Sequence, residues 1–247
     1  MQKVLISTGG SGGHVVPATT LYEHLKDQFD VSMSTDDRGL KFLDKKKYKF
    51  EIINTPLISK NILLLPFNFF LIIFSFLKAI HFLKKKKIDI LISTGGYMSL
   101  PLCLASKILN IKLFLFEPNM VLGRSNKFFI KSCEKIFCYS DNIKNFPNKY
   151  INKIKVIPAL LRKKFYEVKK TESIEGYINL LIVGGSQGAK IFDKLIQTSI
   201  IELSKRYNVK IYQQTNLNNF ESLKKFYKDN NIDCELFDFH EDISNFM

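Results

Sequence analysis

Short apolar segments alternate with helical segments along most of this chain, and this alternation limits the possible folds more than any other feature. The strand-like segments lie at 4–7, 31–34, 88–93, 113–116, 135–139 and 155–158, with a second series at 179–183, 209–213 and 234–237. Helical patterns fall between them, at about 17–28, 67–87, 100–110, 123–133, 188–206 and 218–230. This order predicts an α/β protein in which helices cover both faces of parallel, doubly wound sheets.

A polar segment divides the two series of strands. Residues 162–177, RKKFYEVKKTESIEGY, lack apolar periodicity and are typical of an interdomain linker. We therefore expect an N-terminal domain at 1–160, a linker at 161–177 and a second domain at 178–247. The second domain has about three strands, fewer than a doubly wound sheet needs to cover its faces, so we expect it to be incomplete.

The chain is strongly basic, with 37 Lys and Arg against 23 Asp and Glu and a net charge of +14. Only four basic residues are arginine, the side chain that base and phosphate recognition mostly uses, so we expect no sequence-specific nucleic-acid binding. The excess of lysine fits compositional drift or attraction to an anionic membrane surface. The four cysteines form no CxxC pair and no histidine falls at zinc spacing, so we expect reduced core thiols and no metal site.

Residues 61–87, NILLLPFNFFLIIFSFLKAIHFLKKKK, form an unusually apolar block. Its uncharged part, Ile62 to Leu77, has 16 residues and contains Pro66, so it is shorter than the roughly 20 residues that cross a bilayer. On a helix from 67 to 83 the polar side chains occupy a sector of about 80°, and the remaining apolar surface exceeds what a sheet can cover. Next to Lys84–Lys87, this surface predicts peripheral membrane association; a buried crossover helix or a protein interface is the alternative.

Three glycine-rich turns each follow a predicted strand: TGGSGGH at 8–14, STGGYMSLP at 93–101 and VGGSQGA at 183–189. Such turns bring backbone N–H groups close to a ligand, and the N-terminus of the next helix favours phosphate. Because ligands of open α/β sheets bind at the carboxyl ends of the strands, we expect the turns to line one crevice. His14 would lie at its mouth, where core packing requires no imidazole, and this position favours a functional role.

Neither common nucleotide motif fits these turns. The dinucleotide motif GxGxxG fails because Val15 occupies its last position, and the phosphate-binding loop GxxxxGK[ST] fails at Ala189. Asp36 as the ribose-binding acid of a dehydrogenase is a minor alternative.

Four segments in register resemble the MurG family of bacterial glycosyltransferases: GGSGGHVVPA, STGGYMSLP, FEPNMVLGRSNKFFIKSCEKIF and LLIVGGSQGAKIFDK. This family transfers N-acetylglucosamine (GlcNAc) from UDP-GlcNAc to the C4 hydroxyl of MurNAc in lipid I, undecaprenyl-pyrophosphoryl-MurNAc-pentapeptide, with inversion. The resemblance implies the GT-B fold, two Rossmann-like domains facing across a cleft, with no metal and no cofactor. It also implies a peripheral enzyme of peptidoglycan synthesis at the cytoplasmic face of the bacterial inner membrane, with other cell-wall synthesis proteins as further candidate partners.

The resemblance implies roles for individual residues. On the donor side it implies UDP-GlcNAc binding by Ser11, Gly12, Gly13, Asn119, Arg162, Ser186 and His240. On the acceptor side it implies contacts from His14, Gly95, Gly96 and Tyr97. The base that deprotonates the attacking hydroxyl is His14 or Glu117, and the sequence does not choose between them.

The chain departs from the family pattern at several positions. Phe116 and Pro118 replace a histidine and a glutamine beside Glu117, and His240 stands where the family has an apolar residue. The segment before Arg162 lacks the family's Gly-Asn-Pro, and a later donor-binding segment is expected beyond Met247. Two alternatives therefore stay open: a membrane-docked acceptor-binding subunit that needs a separate C-terminal half, and a truncated copy without activity.

Overall fold

The computed structural model of the chain describes residues 1–55, 65–166, 176–184, 191–238 and 243. Its residues form two compact units, Met1–Lys163 and Lys164–Met247. Ser186 and His240, two of the predicted donor-binding residues, lie outside the described residues, and so does the third glycine turn after Gly184.

Seven parallel strands form the sheet of the first unit. They are β1 (Lys3–Ser7), β2 (Asp30–Thr35), β3 (Phe50–Ile52), β4 (Ile90–Ser93), β5 (Lys112–Glu117), β6 (Lys135–Cys138) and β7 (Ile154–Val156). The strand order is β3-β2-β1-β4-β5-β6-β7, and each neighbouring pair is parallel. The chain runs outward from β1 to β3 on one side and from β4 to β7 on the other, so its direction across the sheet reverses between β1 and β4. This is the predicted doubly wound topology.

In the described part of this unit four α-helices accompany the strands: α1 (Gly12–Leu25), α2 (Leu65–Lys86), α3 (Leu100–Ile108) and α4 (Arg124–Phe129). Successive side chains of a strand point to opposite faces of the sheet. Leu5 belongs to the core cluster that includes residues of α2 and α3, whereas Val4 and Ile6 belong to the cluster that includes residues of α1. The sheet is therefore buried on both faces, as its continuously apolar strands require.

The described part of the second unit contains three parallel strands in the order β10-β9-β8. They are β8 (Tyr177–Ile182), β9 (Asn208–Gln214) and β10 (Asp233–Phe237), and the helices are α5 (Phe192–Leu195), α6 (Gln197–Ser204) and α7 (Phe220–Asp229). Ile200, Ile211, Leu223 and Tyr227 form the buried centre of this unit. Both units are thus α/β with parallel strands, and the predicted fold class is confirmed.

Helix α2 turns small side chains toward the protein and large apolar side chains outward. Ser75 and Ala79 are buried one turn apart, Leu83 is buried one turn further on, and α2 packs against α3. The opposite face carries four exposed residues, which we call the α2 ridge: Phe70, Ile73, Phe74 and Leu77. Among the described residues, no helix combines the length and the apolar character that a membrane crossing needs.

All four cysteines have free thiols. Cys103, Cys133 and Cys138 are buried, and Cys234 is half-buried. Burial raises the pKa of the Cys103 and Cys138 thiols to about 12. These thiols are therefore protonated at neutral pH and serve as core side chains, as predicted.

Four elements differ from the sequence prediction, and one of them, α4, ends at Phe129 rather than near residue 133. Helix α1 begins at Gly12 rather than near residue 17, because glycine weakens a helix interior but is tolerated in the first turn. The pattern does not predict β3, a three-residue edge strand that follows a lysine-rich segment. The single helix predicted at 188–206 is divided, in its described part, into α5 and α6.

Replacing a leucine by alanine should change the free energy of unfolding much more on the buried face of α2 than on its exposed face. Leu83→Ala removes a side chain that is 1% exposed and should lower the free energy of unfolding by about 2–5 kcal/mol, because it leaves a cavity. Leu77→Ala, in the same helix at 55% exposure, should change it by less than about 0.5 kcal/mol. Urea titration followed by the amide NMR signals of the first unit measures both, and equal losses would contradict the described orientation of α2.

Candidate active site

A pocket opens at the carboxyl edge of the first sheet, where β1 and β4 end. Its volume is about 670 Å³, and we call it the β1–β4 pocket. Its polar lining includes His14, Gly95, Gly96, Glu117 and Asn126, and its apolar lining includes Ile72, Leu100, Pro101, Leu104 and Phe128. Open α/β sheets bind their ligands at such a reversal of strand order, so this pocket is the candidate site of the first unit.

The imidazole of His14 reaches the pocket from the first turn of α1. Its Nδ1 lies 2.9 Å from the carbonyl oxygen of Thr94. Because a carbonyl oxygen can only accept a hydrogen bond, Nδ1 carries the proton and the Nε2 atom of the neutral ring keeps a lone pair. An imidazole in this tautomer can accept a proton at Nε2.

Thr94, directly after β4, connects the first two glycine turns. Its backbone N–H donates to the carbonyl of Ser7 at 3.1 Å, and its hydroxyl lies 3.1 Å from the carbonyl oxygen of His14 and 3.0 Å from the Thr8 hydroxyl. Thr94 is 1% exposed. The position of the His14 ring is therefore fixed by the same residues that pair β1 with β4.

Two left-handed glycines follow Thr94. Gly95 and Gly96 have φ angles of 88° and 86°, a region that residues with a side chain rarely adopt. A Cβ on Gly95 would lie 3.3 Å from Cε1 of His14, and one on Gly96 would lie 3.4 Å from Cδ2 of the same ring. The backbone of the second turn thus passes directly against the imidazole, and the first two turns meet in one pocket as expected.

A buried carboxylate, that of Asp36, supports the first turn. Oδ1 accepts hydrogen bonds from the N–H groups of Gly10 at 2.8 Å and Gly39 at 2.9 Å, and Oδ2 accepts one from Nε of Arg38 at 2.6 Å. Burial acts to raise the pKa of Asp36, but these hydrogen bonds and the Arg38 charge outweigh it and hold the pKa below its usual value. Asp36 therefore supports the loop and does not present its carboxylate to a ribose as in a dehydrogenase.

Glu117 organises the loop that connects β5 to α4. Its Oε1 accepts from the backbone N–H and the Nδ2 of Asn119, at 3.3 and 3.0 Å. Its Oε2 accepts from the N–H of Gly123 at 2.8 Å and from Nδ2 of Asn126 at 3.0 Å. Glu117 is only 3% exposed, so four donors occupy its carboxylate and fix its orientation.

The other predicted residues of the first unit divide into two groups. Tyr97 lines the pocket, and burial raises the pKa of its hydroxyl. Ser11, Gly12 and Gly13 form the N-terminus of α1, where the first N–H groups have no partner within the helix.

Arg162 lies outside the β1–β4 pocket. It follows Leu161, whose carbonyl oxygen is 2.8 Å from Nε2 of His24, near the C-terminal end of α1. With a rise of about 1.5 Å per residue, that end of the helix is roughly 15 Å from His14. The donor-binding role implied for Arg162 stays a prediction.

Sequence reasoning does not single out two polar residues that line the pocket, Arg124 and Asn126. Both lie in the first turn of α4, directly after the loop that Glu117 organises. Their only sequence signal is that position, at the start of a helix that follows a strand. Phe116, which stands where the family has a histidine, is fully buried and packs edge-on against Tyr139 with ring centroids 5.6 Å apart.

The family of the chain follows from this architecture and from comparison with known proteins. A doubly wound sheet with a pocket at its reversal point, followed by a second parallel α/β unit, is the architecture of a GT-B glycosyltransferase. Residues 4–138 match the model of the glycosyltransferase family 28 N-terminal domain, and residues 179–247 match that of the family 28 C-terminal domain. The chain belongs to glycosyltransferase family 28.

Two curated relatives carry the same name, UDP-N-acetylglucosamine--N-acetylmuramyl-(pentapeptide) pyrophosphoryl-undecaprenol N-acetylglucosamine transferase. The chain is 65% identical over 246 residues to the one from Pelagibacter ubique (strain HTCC1062). This alignment covers 100% of this chain and 69% of that relative. It is 34% identical over 249 residues to the one from Wolbachia pipientis wMel, and that alignment covers 98% of this chain and 68% of the relative. The resemblance to the MurG family is confirmed.

Solved structures share the fold. The crystal structure of Acinetobacter baumannii MurG matches with a TM-score of 0.71 and 24% identity, covering 100% of this chain and 69% of that chain. The crystal structure of UDP-GlcNAc 2-epimerase from Neisseria meningitidis bound to UDP-GlcNAc matches with a TM-score of 0.61 and 15% identity, covering 99% and 74%. At these identities the likeness concerns the fold alone.

The lowered pKa of Asp36 predicts how stability depends on pH. A carboxyl group whose pKa is lower in the folded state stabilises the protein above its unfolded pKa of about 3.9, and this contribution is lost as the pH falls through the folded pKa. Asp36→Asn should therefore be less stable than the wild type above about pH 5, and the difference should narrow below about pH 4.

Urea titrations of both proteins between pH 2.5 and 7 measure this difference. Glu134→Gln, an equal change of charge at an exposed position in the same unit, is the control and should give a small difference at every pH. A stability difference for Asp36→Asn that does not change across this range would contradict the role assigned to the carboxylate.

Proposed function

We propose that this chain transfers GlcNAc from UDP-GlcNAc to the C4 hydroxyl of MurNAc in undecaprenyl-pyrophosphoryl-MurNAc-pentapeptide, with inversion at the anomeric carbon. The relatives' names state this donor and this acceptor, and the identity of 65% makes the same reaction the best-supported activity. One observation in this chain carries the proposal. The hydrogen bond from Nδ1 of His14 to Thr94 leaves Nε2 as a base in a pocket lined by left-handed glycines.

The mixed lining of the β1–β4 pocket fits an acceptor with a polar head and a prenyl chain. Gly95 and Gly96 expose backbone polar groups of the kind that bind phosphate oxygens in glycine-rich loops. Leu100, Leu104 and Phe128 give the same pocket an apolar lining. We assign the acceptor to this pocket, with its pyrophosphate at the glycines and the first part of its prenyl chain along the apolar side chains.

In the proposed reaction His14 is the general base. The C4 oxygen of MurNAc forms a bond to C1 of GlcNAc while the bond from C1 to the diphosphate oxygen breaks. The hydroxyl proton passes to Nε2 of His14, and UDP leaves with the bonding pair. The carbonyl of Thr94 accepts from Nδ1–H and so stabilises the imidazolium that forms.

The second candidate base, Glu117, receives a different role in this proposal. Four hydrogen-bond donors already occupy its two oxygens. A carboxylate that accepts from the backbone of its own loop is suited to orient that loop. We therefore assign Glu117 as a positioning residue for the loop that carries Asn119 and for Asn126 in the first turn of α4.

The donor-side roles come from the family resemblance. The N-terminus of α1, with Ser11, Gly12 and Gly13, offers N–H groups to an anionic group of the donor. Arg162 would neutralise charge on the departing diphosphate, and Ser186 and His240 would contact the sugar nucleotide. The last two lie outside the described residues, so their roles stay predictions.

We further propose that the α2 ridge holds the chain at the cytoplasmic face of the bacterial inner membrane. Phe70, Phe74 and Leu77 are each at least half exposed, and the Lys78 ammonium lies 4.3 Å from the centre of the Phe74 ring. Lysines 84–86 end the same helix and Lys87 follows it, and all four are exposed, as contact with anionic headgroups requires. Ile72, also in α2, lines the β1–β4 pocket, so the proposed membrane face adjoins the proposed acceptor site.

The role of His14 can be separated from its hydrogen bond to Thr94. His14→Asn places an amide donor near the position of Nδ1 but supplies no base at Nε2. Both His14→Asn and His14→Ala should lower kcat by about 10²- to 10⁴-fold, because general-base catalysis contributes about that much to the rate. The measurement is transfer of radiolabelled GlcNAc from UDP-GlcNAc to a soluble short-chain acceptor.

The control is His81→Asn, which changes an exposed histidine of α2 and should keep wild-type kcat. Wild-type turnover by His14→Asn would overturn the assignment of the base. Binding of the acceptor without any transfer by the unsubstituted chain would favour the alternative of an acceptor-binding subunit.

Membrane association can be tested with vesicles that contain phosphatidylglycerol. Replacing Phe70, Phe74 and Leu77 by serine should lower the partition coefficient at least about tenfold, because the apolar area that enters the headgroup region is lost. Co-sedimentation with vesicles measures the coefficient.

Serine at three other exposed apolar positions of the first unit, Ile52, Ile151 and Val156, is the matched control and should leave binding unchanged. Turnover of the soluble acceptor should be unaffected in both triple variants. Equal vesicle binding by the two variants would contradict the proposed membrane face.

A further inference from the structure

The side chain of Asn126 contains a buried oxygen without a hydrogen-bond partner. Asn126 is 2% exposed, and its Oδ1 makes no hydrogen bond within the part of the chain that the structure describes. Buried polar atoms in folded proteins nearly always have a partner, because an unpaired one keeps its full desolvation cost. An acceptor left unpaired beside a ligand pocket indicates that a ligand completes it.

The orientation of this amide is fixed by its neighbours. Its Nδ2 donates to the carbonyl oxygen of Phe116 at 3.2 Å and to Oε2 of Glu117 at 3.0 Å. Both partners are acceptors, so a rotated amide would place its oxygen against two other oxygens. The atom without a partner is therefore the carbonyl oxygen. Its acceptor strength is increased because a carboxylate accepts from the other end of the same amide.

Asn126 lies close to the proposed base. It lines the β1–β4 pocket together with His14 and Gly95. A Cβ on Gly95 would be 3.5 Å from Nδ2 of Asn126 and 3.3 Å from Cε1 of His14, so this glycine lies between the two side chains. A ligand group bound to Oδ1 would therefore be held in the neighbourhood of the imidazole.

We propose that Oδ1 of Asn126 accepts a hydrogen bond from a hydroxyl or an amide N–H of the acceptor's amino sugar. This inference rests on the proposed function, because it assigns the acceptor to the β1–β4 pocket. A carbonyl oxygen binds hydrogen-bond donors, which excludes the deprotonated pyrophosphate from this position. Among the donors of the acceptor, those of the muramyl sugar are attached to the ring that carries the reacting C4 hydroxyl, and we therefore assign them, rather than the peptide N–H groups, to an oxygen beside His14. Asn126 then selects for the sugar while the glycines bind the phosphates.

The experiment is a set of binding measurements on the full 247-residue chain by calorimetry. The probes are a soluble short-chain MurNAc-pentapeptide pyrophosphate and three analogues: the 4-deoxy form, the 6-deoxy form and the form with an N-methylated acetamido group. Either the 6-deoxy form or the N-methylated form should bind the wild type about tenfold more weakly than the parent compound, because it lacks the donor and leaves Oδ1 unpaired. The 4-deoxy form lacks the hydroxyl that the proposed reaction assigns to His14 and reports on that contact instead. This arm needs no substitution in the protein.

Asn126→Leu supplies the second arm. This variant should bind the parent about tenfold more weakly than the wild type, and it should bind the sensitive analogue and the parent equally, because the oxygen that distinguishes them is gone. Ser125→Ala is the matched control: its hydroxyl lies 3.1 Å from that of Ser99, and its removal should keep the wild-type preference for the parent.

The possible results separate the two proposals. If the wild type does not bind the parent compound, the proposed function fails and this inference fails with it. If the wild type binds the parent, the 6-deoxy form and the N-methylated form equally, the proposed function stands and the role of Asn126 is wrong. A preference for the parent over the sensitive 6-deoxy or N-methylated form that persists in Asn126→Leu likewise overturns the role of Asn126.

Discussion

The hydrogen bonds of Thr94 are the constraint on which the candidate site depends. This residue directly follows β4, and it is bonded to Ser7 at the end of β1 and to both the backbone and the ring of His14. The pairing of two parallel strands in the centre of the sheet therefore determines where an imidazole lies at its edge. A side chain held through the strand register moves little, since a shift would break the ladder between β1 and β4.

The two acidic residues near the pocket share one structural role. Asp36 follows β2, Glu117 ends β5, and each uses both carboxylate oxygens to accept hydrogen bonds from the loop that follows it or from a neighbouring loop. Their negative charge is compensated locally by N–H donors, with Arg38 adding a cation beside Asp36. The polar surface left for a ligand then includes glycine backbone, an imidazole, an amide and the Arg124 side chain, groups suited to anionic and sugar ligands.

The sequence predicts the sheet and much of the pocket. It does not predict which side chains become buried or hydrogen-bonded, because that depends on how the elements pack. Apolar strands and glycine turns identify the two α/β units and bring His14, Gly95 and Gly96 to one edge, because parallel strands all end there. The choice between His14 and Glu117 needs geometry, since only the structure shows four donors on the carboxylate. The only sequence signal of Asn126 is its position at the start of a helix, and a buried asparagine without a partner looks there like any other polar residue. The buried face of α2 is equally unpredictable, since the helix is apolar almost all round and uses Ser75 and Ala79 for close packing.

The exposed ridge of α2 has a consequence for the colloidal behaviour of the chain in water. Aromatic and aliphatic surface of this kind attracts a second copy as readily as it attracts any other apolar partner. The net charge of +14 opposes that attraction by mutual repulsion, which dissolved ions weaken as the Debye length falls to about 8 Å at 0.15 M. Added salt therefore weakens the repulsion that opposes contact between two copies of the chain, whereas detergent or lipid on the ridge covers the apolar surface through which such a contact would form.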